Sequence, residues 1–154
     1  MIVVSDTSPI NYLLLLDAVG LLPQVYGTVI IPESVRQELT HTSAPAQVRL
    51  WAANMPSWVT VRPPRVVIPL SLDIGEQEAI SLALELRAEV ILIDERRGRR
   101  IAEAQGLKVT GLLGLLEEAG HRGLINLADA LAQLQQTDFH VSASLVASLL
   151  ERNA

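Results

Sequence analysis

Five short runs carrying β-branched residues punctuate the chain: "IVVS" at 2–5, "TVIIP" at 28–32, "WVTV" at 58–61, "EVILID" at 89–94 and "LKVTG" at 107–111. Longer stretches with helical spacing separate them. Short β-branched runs alternating with helices specify a parallel sheet covered on both faces, an α/β architecture. Ligands in such sheets bind beyond the carboxyl ends of the strands. The residues that close each run are therefore the first place to look for chemistry.

The helical stretches can be placed by their punctuation. Residues 9–18 predict a helix with Pro9 in its first turn, and 19–26 a second, short helix broken by Pro23. Pro32 opens the helix "ESVRQELT", in which Val35 and Leu39 share a face and Glu38 lies beside it. A helix over 44–54 follows the next turn. Three prolines mark the stretch from Arg62 to Asp73 as a connector. "GEQEAISLALEL", "RRGRRIAEAQ" and "LLGLLEEAG" are helices, the last starting at Thr110 or Gly111. Two more are expected near 126–136 and 142–152, the latter capped by Ser142. No repeat or linker interrupts the 154 residues, which predicts a single domain over 1–154.

Composition narrows the setting. Apolar residues are 49% of the chain and mean hydropathy is +0.33, but aromatics are only 3%, so Leu, Ile, Val and Ala must fill the core. The apolar surplus points to a partner or dimer surface. In "SASLVASLL", Leu145, Val146 and Leu149 exceed what one helix face buries, which predicts a homodimer or higher oligomer. No apolar run reaches the roughly 18 residues of a membrane span. The N-terminus lacks the basic region and cleavage site of a secretory leader. Without cysteine there are no disulfides or thiolate metal sites, and a cytoplasmic location fits.

Asp6 closes the first run and Asp94 closes "EVILID", followed at once by Glu95. In a parallel sheet both positions fall on one edge. Glu76 stands in the first turn of its helix with Ile80 and Ala83 at i+4 and i+7, so it shares the inward face. Glu78, rotated about 200° away, is expected in solvent. Glu38 adds a fourth acid. Acids converging on one edge repel unless a cation holds them, and oxygen donors suit Mg²⁺ or Mn²⁺. Such an ion polarises a phosphodiester and activates water. Three scattered histidines do not suggest zinc. Each acid also has a structural reading: Asp6 as a helix cap, Glu38 as a solvated helix residue, Glu76 as a complement to the helix dipole.

The net charge of −5 argues against a broad nucleic-acid-coating surface. Arg96, Arg97, Arg99 and Arg100 are nonetheless clustered directly after Asp94, in a chain whose only lysine is Lys108. Arg96 and Arg100 lie together at helical spacing and could grip phosphates; the alternative is a solvated face that offsets the acids.

Four blocks in order, "VVSDTSP", "IPESVRQEL", "LDIGEQEAISLAL" and "VILIDERRGRRIAEAQGLKVTGLLGLL", resemble PIN-domain proteins, and among them the small group related to VapC toxins. The resemblance spans roughly Ile2 to Gly123. It implies a three-layer α/β/α sandwich with a central parallel sheet and an endoribonuclease that uses Mg²⁺ or Mn²⁺. By matched position it implies catalytic Asp6, Glu38, Glu76 and Asp94, with the metal held by Asp6, Asp94, Glu76 and Glu95. Ser8 matches a small hydroxyl residue near the family site; its rival role is a bond to a backbone amide. RNA as substrate, a homodimer and a cognate antitoxin are implied too. One departure stands out: Glu95 occupies a position where the family often carries aspartate.

Two rival functions share some of these features. A haloacid-dehalogenase-type phosphatase also starts with a strand-end aspartate, but needs a second aspartate where Ser8 stands. A catalytically weak PIN fold, serving as a binding or assembly module, is the non-enzymatic alternative.

Overall fold

The computed structural model describes all 154 residues. Five strands, β1 (Val3–Ser5), β2 (Val29–Ile31), β3 (Val59–Val61), β4 (Val90–Leu92) and β5 (Val109–Thr110), form one all-parallel sheet in the order β3-β2-β1-β4-β5. Nine helices surround it: α1 (Thr7–Leu15), α2 (Leu21–Tyr26), α3 (Glu33–Thr40), α4 (Ala46–Ala53), α5 (Ile74–Leu86), α6 (Arg96–Ala104), α7 (Leu112–His121), α8 (Leu127–Gln135) and α9 (Ala143–Arg152). This is the three-layer α/β/α arrangement expected.

Alternation along the strands divides the core. Val4 and Ile91, paired in register, face α5 and α6 and pack with Ala79, Ile80, Leu82 and Ala102. Val3, Val90 and Leu92 face the other way, into a larger cluster that includes α1, α3, α7, α8 and α9. Both faces of β1 and β4 are buried, which is why their sequences read as unbroken apolar runs. The order also places the topological switch. From β1 the chain builds outward through β2 and β3, then returns to the opposite side for β4 and β5. The crevice between the carboxyl ends of β1 and β4 is therefore where a ligand site belongs.

Three local expectations need correction. The first helix begins at Thr7, ahead of Pro9, and α2 runs through Pro23 without breaking. Each proline is the third residue of its helix, where the missing amide is one of those that have no intrahelical partner anyway. At the C-terminus, Ser142 caps α9 by accepting from the Leu145 amide at 3.1 Å, as expected. However, the chain itself covers Val146 and Leu149, and Leu145, at 42% exposed, is the one left open. The α9 stripe thus gives no argument for a second copy. Elsewhere Leu50, Val66 and Ile74 remain more than half exposed. No helix is long and apolar enough to cross a membrane.

Burial sets the expected energetics at this terminus. Leu149→Ala should cost about 2–4 kcal/mol by urea denaturation, because it empties a packed site. Leu145→Ala should stay within about 0.5 kcal/mol of wild type. Equal effects would show that α9 is docked on a different face.

Candidate active site

The strand ends deliver their carboxylates to one place. Asp6 leaves β1 with its amide bonded to the Leu92 carbonyl at 2.9 Å, which ties it to the end of β4. Asp94 follows that same strand after Ile93. Between and around them lies a cleft of about 1040 Å³. The acids, the serine and the two phosphate-gripping arginines expected from sequence line it: Asp6, Ser8, Glu38, Glu76, Asp94, Glu95, Arg96 and Arg100. Arg97 does not; it faces a smaller neighbouring depression that shares Asp73, Glu76 and Glu95 with the cleft.

Each acid is held differently. Asp6 occupies the N-cap position of α1, yet its side chain makes no capping bond, which removes the structural reading of this residue. It is 8% exposed, and burial pushes its carboxyl up to about 7, with the charges of Glu38, Asp73 and Asp94 adding to the shift. Glu76 is 3% exposed and its Oε2 has no hydrogen-bond partner. Its affinity for a proton is raised by burial first, then by Asp73, Asp6 and Glu95. Asp94 is also raised by burial, against the opposing pull of the Leu112 amide, Ser8 and Arg99. Its Oδ1 accepts from the Leu112 amide at 2.7 Å, so the first turn of α7 grips it, and Oδ2 accepts from Ser8 Oγ at 2.8 Å. Ser8 therefore donates to Asp94 and not to the backbone. Glu38, raised by burial, accepts from the Thr7 hydroxyl.

Sequence reasoning missed Asp73 and misplaced Glu78. Asp73 caps α5 by accepting from the Glu76 amide at 2.9 Å. Oxygens of Asp73, Glu76 and Glu95 all lie within 4.8 Å of one another, a grouping that includes a residue assigned to the connector and leaves out Asp6, Glu38 and Asp94. The signal was present: "DIGE" has the Asp-x-x-Glu spacing of a helix start. Glu78 is half-buried, and its Oε1 accepts from the Ser34 amide at 3.3 Å, bracing α5 against the first turn of α3. The helical angle was right, but α3 occupies the space where solvent was expected.

Three glycines make room for side chains of the cleft, two of them for acids. A Cβ on Gly75 would collide with the Glu38 carboxylate, one on Gly98 with that of Glu76, and one on Gly111 with Arg99. The donors that converge are all oxygen, one of them is buried without a partner, and their charges repel. That combination fits a hard divalent cation and leaves no soft ligand for others.

A family model described as a PIN domain matches residues 2–154. No curated relative matches the chain. Among solved structures, a PilT N-terminus domain protein from the hyperthermophilic archaeon Sulfolobus solfataricus superimposes with a TM-score of 0.50 at 18% identity. The superposition covers 92% of this chain and all of the other. It shows a shared fold.

The raised carboxyls have a direct consequence for stability. Asp6 binds its proton more tightly folded than unfolded, so its stabilising contribution is present below about pH 4 and is lost as pH rises through about 7. In chelator, the melting temperature should fall between about pH 5 and pH 8, and Asp6→Asn should flatten that slope. At pH 8 the variant should be the more stable of the two, and millimolar Mn²⁺ should favour wild type. Parallel slopes in chelator would remove Asp6 from the repelling group.

Proposed function

Because the chain belongs to the PIN-domain family, generally a metal-dependent nuclease fold, we propose that it is an endoribonuclease using Mg²⁺ or Mn²⁺ to cleave RNA phosphodiester bonds. The observation that carries this reading is the convergence of sequence-distant acids on one cleft at the switch point, with Glu76 Oε2 buried and unpartnered. Asp6, Glu76, Asp94 and Glu95 would hold the ion, joined by Asp73. When bound there, the ion polarises a phosphate oxygen and lowers the pKa of a coordinated water.

The chain's own residues supply the rest. Ser8 and the Leu112 amide fix the orientation of Asp94, which lines the cleft. Glu38, beside Asp6 and raised by burial, is suited to take up a proton at its carboxylate. Arg96 and Arg100 stand on the same cleft and offset the charge that would otherwise repel RNA. The reading as a weak binding module rested on Glu95 in place of aspartate. The Glu95 carboxylate comes within 4.8 Å of those of Asp73 and Glu76, so its longer arm still reaches the acidic cluster.

The likeness of the four sequence blocks to VapC-like toxins supports a toxin neutralised by a cognate antitoxin. Exposed Leu50, Val66 and Ile74 leave apolar surface for that partner or for a homodimer.

Single-stranded RNA incubated with purified protein and Mn²⁺ tests the activity. Chelator should stop cleavage, and Asp94→Asn should lower the rate about a hundredfold while the protein stays folded. Arg100→Ala should weaken RNA binding more at low salt than at high. In cells, wild type should arrest growth and Asp6→Asn should not. Varied RNAs left intact, with variants equal to wild type in cells, would sink the nuclease reading.

A further inference from the structure

One wall of the cleft has no part in metal or phosphate chemistry. It is built from Tyr12 on α1, Phe139 and His140 in the loop between α8 and α9, and Leu145 on α9. The chain has only two Trp, two Tyr and one Phe. Trp51 and Trp58 pack against each other away from this cleft, so placing Tyr12 and Phe139 here uses two of few aromatic side chains.

The wall is also rigidly made. The Tyr12 and Phe139 rings meet edge to face, with centroids 5.0 Å apart and an interplanar angle of 76°. The Tyr12 hydroxyl donates to Asp138 Oδ1 at 2.6 Å, tying α1 to a loop 126 residues away in sequence. Thr137 Oγ1 accepts from the Phe139 amide at 3.2 Å and donates to the Leu134 carbonyl at 2.6 Å, which fixes the loop that carries the ring. Asp138 makes this wall unsuitable for a phosphate. Tyr12 and Phe139, partly buried against the core, line a cleft of acids and arginines, and an apolar wall in that place suits a flat group attached to a phosphate.

We infer that Phe139, with Tyr12 and His140 beside it, forms a stacking surface for the nucleobase next to the cleaved phosphate. The inference rests on the nuclease reading above. Acids, arginines and aromatics line one cavity and match in turn the cation, the phosphate and the base of a nucleotide. In a duplex each base is already stacked on both sides, and reaching the platform requires unpairing it.

The test uses short fluorescent single-stranded RNAs with one abasic position moved along the sequence, alongside the intact strand and its duplex. With wild type, one abasic position next to the cleavage site should weaken binding about tenfold, the scale of one stacked base. Phe139→Leu, which keeps apolar contact with Tyr12, should weaken binding of intact RNA by about the same factor and that of the abasic RNA no further. His140→Ala, at an exposed position, gives a second variant that does not threaten folding. The duplex should bind at least about tenfold more weakly than the single strand. Cleavage by wild type with no abasic effect, or equal losses by Phe139→Leu on both RNAs, would overturn the platform and leave the nuclease reading intact. RNA handling unchanged in Phe139→Leu, with a shift to smaller species in sedimentation, would mark the wall as an interface between copies. No binding or cleavage of any RNA by wild type would remove both readings.

Discussion

Parallel pairing of β1 with β4 forces negative charge together. The register Ser5↔Leu92 leaves Asp6 and Asp94 emerging from adjacent strands on the same edge, and neither can move away without breaking the centre of the sheet. Much of the local structure answers that constraint. The first turn of α7 and Ser8 satisfy Asp94, Asp73 caps α5 so that Glu76 can turn inward, and glycines at 75, 98 and 111 leave space for side chains that approach closely. What remains unsatisfied is Glu76 Oε2 and the mutual repulsion of the acids. A fold that keeps such a cost at its switch point keeps it for a ligand.

The arginines of α6 show a second departure from local rules. Arg96 and Arg97 occupy the first turn of a helix, where the dipole disfavours cations by about 0.3–1 kcal/mol. Their neighbours explain the arrangement: Glu95 precedes them, and Gly98 packs over the Glu76 carboxylate. The cluster both offsets the acidic centre and gives an acidic protein a basic edge for a polyanion. Arg96, Arg99 and Arg100 line the main cleft and Arg97 the adjoining depression, so positive charge borders both.

The layers of the fold and the main acids were legible because they depend on short-range pattern. Buried parallel strands announce themselves as β-branched runs, and a residue closing such a run has one place to go. Other features depended on tertiary neighbours. Helical angle placed Glu78 correctly on its own helix but carried no knowledge of α3. Likewise the sequence of α9 shows three apolar positions but not α8, which packs along that helix. Asp73 was hidden by the prolines before it, although its capping spacing was readable. The pairing of Tyr12 with Phe139 had no local signature at all.

Direct titration of Mn²⁺ into the protein, followed by calorimetry, tests the central claim that the buried, unpartnered Glu76 carboxylate belongs to a cation site. Wild type should bind the ion, and Glu76→Gln should bind it at least about tenfold more weakly. Glu78→Gln, two residues away on the same helix and able to keep its bond to the Ser34 amide, should match wild type. Equal affinity in wild type and Glu76→Gln would contradict the account and leave the acidic cleft without its cation.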